Sequence, residues 1–151
     1  MTKFSMEEIF PLIEEGIKNN GKFRFYPKGK SMLPLLVEGE DSVVFISPDN
    51  IKKYDMILYR RVNNGYVLHR VIGIRNEEYL LCGDNQCEIE KGIKKEQILA
   101  KVECFYKGEK LVDVNNPRYL KYAKNRVASI PIRRAILGMK RLVYRILKRT
   151  H

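Results

Sequence analysis

"YDMILYRRVNNGYVLHRVIGI", residues 54–74, holds two runs rich in Ile, Leu, Val and Tyr on either side of Asn63-Asn64-Gly65. β-Branched and aromatic residues suit a pleated, half-buried surface, and Asn and Gly accept the positive φ that a tight hairpin turn demands. The stretch predicts an antiparallel hairpin, residues 55–60 against 66–74, with His69 in the middle of the return strand.

Working outward, the same period of two recurs in "FRFY", "SVVFI", "EYLLC" and "ILAKVECFY", separated by the turn signals "VEGED", "SPDN" and "RNEE". The expected fold is mostly β, a coiled antiparallel arrangement, with a short N-terminal helix and a C-terminal amphipathic helix. The first helix is signalled by Ser5 and Glu8 in capping-box spacing and by Ile9, Leu12, Ile13 and Ile17. Pro11 falls inside it and shifts its start or kinks it. In the tail, Ile132, Ala135, Ile136, Met139, Val143, Ile146 and Leu147 follow helical spacing, with Pro131 suited to the first turn. This gives three segments: residues 1–21, a β domain over 22–115, and a basic helical tail over 116–151.

The formal charge of +11 is uneven. Residues 1–115 hold all 18 acids and 18 of the 29 Lys and Arg, whereas residues 116–151 hold the other 11 bases and no acid. A nucleic-acid partner is disfavoured: the tail offers only Tyr119, Tyr122 and Tyr144 for stacking, and no helix-turn-helix precedes the β domain. A basic amphipathic helix instead fits the surface of an anionic membrane, with docking on its own domain or a partner as the alternative. Cys82, Cys87 and Cys104 are an odd set that reads as thiols rather than a disulfide framework. With His69 and His151 the only histidines, four clustered zinc ligands are not available, and no metal or cofactor is implied. Acids stand where a signal peptide would carry an apolar core, and no window reaches 18 uninterrupted apolar residues. The expected location is the cytoplasm, peripheral on the inner face of the membrane.

Ser31 lies in "PKGKSMLP", between a Gly-Lys pair and a Met-Leu-Pro turn. A serine at its free pKa is a poor nucleophile and needs a base within reach and a third group to orient that base. His69 is the internal base of the right kind, and Asp84, Glu88 and Glu90 in "CGDNQCEIE" are the acids that could orient it. Lys30 is adjacent to Ser31, and neighbours on an extended segment point to opposite faces, which argues against it as the base.

"GKSMLPLLVEGEDSVVF", "YDMILYRRVNNGYVLHRVIGI", "YLLCGDN" and "ILAKV", four ordered segments over residues 29–102, together resemble the signal peptidase I family and its relatives, the self-cleaving SOS-type repressors. The resemblance implies Ser31 as nucleophile and His69 as general base. Bacterial signal peptidases and the repressors carry lysine at the position of His69, so "VLHRVIG" is similar to the histidine form of the endoplasmic-reticulum and archaeal-like branch. Asp84 is the first choice for the orienting acid. Glu90 is the contender, because the histidine-type relatives carry a second acid a few residues beyond Gly-Asp-Asn. Signal peptidases often have a serine where Gly29 stands, which leaves main-chain N–H groups, including that of Ser31, to hold an oxyanion. The implied activity is serine endopeptidase cleavage of a leader from a peptide or protein substrate. The alternative is an inactive or self-processing module at the membrane surface. Met32 and Pro34 read as core and turn, and Gly83, Asn85 and Arg70 as structural.

Overall fold

The computed structural model describes residues 6–63 and 65–150. Ser5 of the expected capping box and Asn64 of the hairpin turn lie outside them. The fold is mostly antiparallel β. Eight strands, β1 (Phe23–Phe25), β2 (Ser42–Ile46), β3 (Met56–Arg60), β4 (Tyr66–Arg75), β5 (Glu78–Cys82), β6 (Glu90–Ile93), β7 (Ile98–Lys107) and β8 (Lys110–Asp113), form one sheet. Its order is β1-β2-β7-β3-β4-β5-β6, with β8 added to β7.

The hairpin forms as its sequence predicts. Ile57 pairs with His69 and Tyr59 with Val67, and Arg61 N–H closes the turn on Gly65 O at 2.7 Å. Strand β3 is buried on both faces, which is why "MILY" is a continuous apolar run rather than an alternating one. Met56 and Leu58 join one core with Val43, Phe45, Ala100, Val102 and Phe105. Ile57 and Tyr59 join the other with Val71, Leu81, Ile93 and Ile98. Each fully buried apolar side chain contributes about 1.5–3 kcal/mol.

Helix α1 (Met6–Asn20) runs through Pro11 and lays Ile9, Phe10, Ile13 and Ile17 on the first core, while Leu12 faces water. The ring of Phe10 stacks on Tyr66, 4.7 Å between centroids, at the start of β4.

The tail, expected as a single helical segment, is two helices. Asn116 caps α2 (Pro117–Ala128) by accepting from the Arg118 and Tyr119 N–H groups, with Pro117 in the first turn. Tyr119 and Ala123 are buried, Tyr119 against Phe105, so α2 belongs to the packed domain. Helix α3 (Ile130–Arg149) buries Ile130 and then leaves it; every side chain from Arg134 to Thr150 is exposed. Strands β6 and β8 were not expected; each is a four-residue edge strand, EKGI and KLVD, with two charged residues.

The loop that follows Ser31 is fastened by a buried carboxylate. Asp41 accepts from Val37 N–H at 2.8 Å and Gly108 N–H at 2.9 Å, and pairs with Lys107. Asp41→Ala is expected to lower the stability by about 2–3 kcal/mol, because two main-chain donors lose their acceptor; guanidinium denaturation at constant slope is the check.

Candidate active site

Ser31 begins a tight turn, with Leu33 N–H on Lys30 O and Leu36 N–H on Met32 O. Met32 and Leu36 plug into the core, so Ser31 is held half-buried at its rim while Lys30 is exposed. Gly29 has φ +93°, a conformation that favours glycine, and gives its N–H to Glu38 Oε2 at 3.2 Å. That backbone need explains glycine at this position.

His69 lies on β4 with 1% of its surface exposed. It lines the same cleft as Ser31, with Gly29, Tyr66, Leu68 and Gln86. Gly83 lies close against both. A Cβ on Gly83 would stand 2.7 Å from Ser31 O and 3.1 Å from His69 Nε2, so only glycine lets the two segments approach this closely. The loop also holds Ser31 directly, through Asn85 N–H on Ser31 O at 2.8 Å.

The acid behind His69 differs from the first choice. Asp84 points to the other side of the strand, where Oδ1 accepts from Arg70 Nε at 2.7 Å and Oδ2 from Arg70 Nη2 and Tyr122 Oη at 2.8 Å. The pair is 1% exposed on both side chains. Adjacent residues of a strand face opposite ways, so Arg70 cannot share a side with His69 and takes Asp84 with it. Arg70 Nη1 is satisfied by Tyr54 O and Tyr119 Oη, both at 2.8 Å. Asp84 positions the turn whose Asn85 N–H holds Ser31 O, and makes no hydrogen bond to the imidazole.

His69 Nδ1 meets Tyr59 Oη at 3.1 Å, and Tyr59 in turn donates to Glu90, whose other oxygen pairs with Arg61. Glu90, the contender, therefore reaches His69 through a tyrosine. Burial alone would raise the Glu90 carboxyl, but Arg61 and Tyr59 outweigh it and hold the group below the usual carboxylate range. An ionised Glu90 can only accept, so the single Tyr59 hydrogen goes to it. His69 must then donate from Nδ1–H to the Tyr59 oxygen, which leaves Nε2 as an acceptor. This tautomer follows from counting donors rather than from seen hydrogens. Tyr59 was missed in the sequence, although the hairpin register carried the signal. It sits diagonal to His69 on the same face of the β3–β4 pair, close enough for a long ring to reach.

Burial pushes His69 down from 6.5 to about 4; Glu90 and Asp84 act upward and Arg61 downward. The imidazole is neutral across the physiological range. Burial also raises the Cys82 thiol to about 11, so it is an inert core group. Among the described residues no group of three or more His, Cys, Asp and Glu side chains converges as a metal site. No protein-family model matches the chain, and no curated protein matches it.

Two measurements separate the carboxylates and the imidazole. Asp84→Ala strands a buried guanidinium and is expected to cost about 3–5 kcal/mol of stability. Glu90→Gln, at a partly solvated pair, should cost less than about 1.5 kcal/mol; equal losses would remove Asp84 from its structural role. Because the folded pKa of His69 lies below its unfolded value, the unfolded chain binds the extra proton first as pH falls. Stability is expected to decline from pH 6.5 toward 4, and less steeply in His69→Gln, in urea titrations of both proteins. Identical pH profiles would exclude His69 as the source.

Proposed function

We propose that the chain is a serine endopeptidase that cleaves a peptide or protein precursor through an acyl-enzyme on Ser31. The observation that carries the reading is the hydrogen bonding of His69: Tyr59, itself bound to Glu90, occupies Nδ1, and Nε2 is left as an acceptor in the cleft that Ser31 also lines. A neutral imidazole with a free acceptor nitrogen in the cleft of Ser31 supports a role as general base for the hydroxyl.

In the proposed reaction Ser31 Oγ attacks the scissile carbonyl carbon and its proton passes to His69 Nε2. The imidazolium formed keeps its Nδ1–H on Tyr59, and the negative charge of Glu90 stabilises it through the phenol. The proton then goes to the leaving amine nitrogen as the C–N bond breaks, and water hydrolyses the ester by the same steps in reverse. General-base assistance of this kind is worth about 10²–10⁴-fold.

The shape of the cleft supports an extended peptide as substrate. Strand β4 is paired with β3 from Tyr66 to Arg70, but β5 joins its other edge only from Arg70 onward. Residues 66–69 thus offer main-chain N–H and C=O groups beside residues 27–31, and a peptide can add there as a strand. Apolar Met32, Leu36 and Leu68 line the same cleft.

A fluorophosphonate probe tests the proposal. The expected result is a phosphonylated peptide containing Ser31, no label in Ser31→Ala, a loss of about hundredfold or more in labelling rate for His69→Ala, and a smaller loss for Tyr59→Phe. With His69 depressed to about 4, the labelling rate should stay level through pH 6.5 and fall only on approach to 4. A folded protein that takes no label, or takes it elsewhere, would instead favour a docking module that has the cleft without the chemistry.

A further inference from the structure

Helix α3 leaves the domain after its first turn, and among the described residues every side chain beyond Arg133 is exposed. Ile132, Ile136, Met139, Val143, Ile146 and Leu147 form one exposed apolar stripe, extended by Leu142. At 3.6 residues per turn, Arg134, Arg141, Arg145 and Lys148 fall on the opposite side. The helix holds seven Lys and Arg and no acid, and α2 before it adds bases alone. Among the described residues no helix is long and apolar enough to cross a membrane.

We infer that α3 is an in-plane anchor for an anionic lipid bilayer, its apolar stripe buried at the headgroup and acyl boundary and its cations on lipid phosphates. An anionic bilayer is the occupant that serves both faces. A second copy could cover the stripe but brings no acid for the seven cations of the helix, since residues 116–151 hold none. A nucleic acid would take the cations and leave the stripe in water. Amphipathic helices with basic polar faces bind such surfaces through apolar area and charge together.

The root of the anchor is tied to the cleft. Arg133 Nη1 donates to Gln86 O at 2.7 Å, Arg134 Nη2 to Cys87 O at 2.9 Å, and Arg126 Nε of α2 to Asp84 O at 2.7 Å. Gln86 lines the cleft of Ser31 and His69. The bilayer-bound helix therefore fixes the cleft to the membrane through the 84–87 loop. The inference stands whether or not Ser31 is a nucleophile, because it uses none of the cleft's chemistry.

The test is co-sedimentation of the full chain with vesicles of phosphatidylcholine containing phosphatidylglycerol, beside vesicles of phosphatidylcholine alone. Binding is expected on the anionic vesicles, weaker by about tenfold or more on the neutral ones and weakened by salt. The double variants Ile136→Glu with Val143→Glu, and Arg141→Glu with Arg145→Glu, should each lower binding by about tenfold or more. Their sites are exposed, so the domain should keep its denaturation midpoint, and Ser31→Ala should bind like the parent. Absence of binding to anionic vesicles, equal binding to both kinds, or binding unchanged by the Ile136 and Val143 substitutions would overturn the inference. So would a dimer abolished by those substitutions without vesicle binding, or an RNA that competes the protein off the vesicles while leaving the stripe variants unaffected.

Discussion

The buried pair of Arg70 and Asp84 is the constraint on which the rest hangs. Two charges removed from water cost several kcal/mol each unless their remaining donors and acceptors are met, and here they are: Tyr54 O and Tyr119 Oη take Nη1, while Tyr122 Oη adds to Asp84 Oδ2. Holding that arrangement requires β4, the Gly83–Asn85 turn and α2 to sit at one point. Once the turn is there, Asn85 N–H grips Ser31 O and Gly83 lets Ser31 and His69 approach. The ion pair is best understood as a fastening of the site rather than as a source of net stability.

Much of this was legible in the sequence, for identifiable reasons. The hairpin announced itself through Asn63 and Gly65, and the strands through β-branched and aromatic runs, because local chemistry and tertiary demand agree there. Strands β6 and β8 were hidden because four edge residues, half of them charged, carry no usable period. Helix α2 had a readable start in Asn116-Pro117, but its cationic composition blended into α3, and only the burial of Tyr119 and Ala123 divides them. Of the candidate site, Ser31 and His69 converge on one cleft. The choice between Asp84 and Glu90 rests on which cation each acid meets, a long-range fact. Alternation along β4 already set Arg70 opposite His69, and a guanidinium buried there had to find a carboxylate of its own.

The tyrosine between imidazole and acid changes what each group must do. A carboxylate directly on an imidazole shares a buried site with it; here Glu90 stays half-buried, where Arg61 keeps it ionised, and acts through the length of a phenol. Desolvation therefore falls mainly on His69, which accounts for its low basicity at rest. The arrangement gives orientation of the ring without a charged neighbour in contact.

The ion pair also sets an order of assembly. Its partners Arg70 and Tyr119 are 49 positions apart, and the bond from Tyr122 to Asp84 spans 38. A chain emerging from the ribosome completes the turn of Ser31 and the strands of His69 and Glu90 before α2 exists. Until α2 docks, Arg70 and Asp84 stand open to water and the turn beneath Ser31 lacks its clamp. The last helix of the domain thus acts as a latch on maturation, and the cleft takes its final form only after the chain has been made through Arg126.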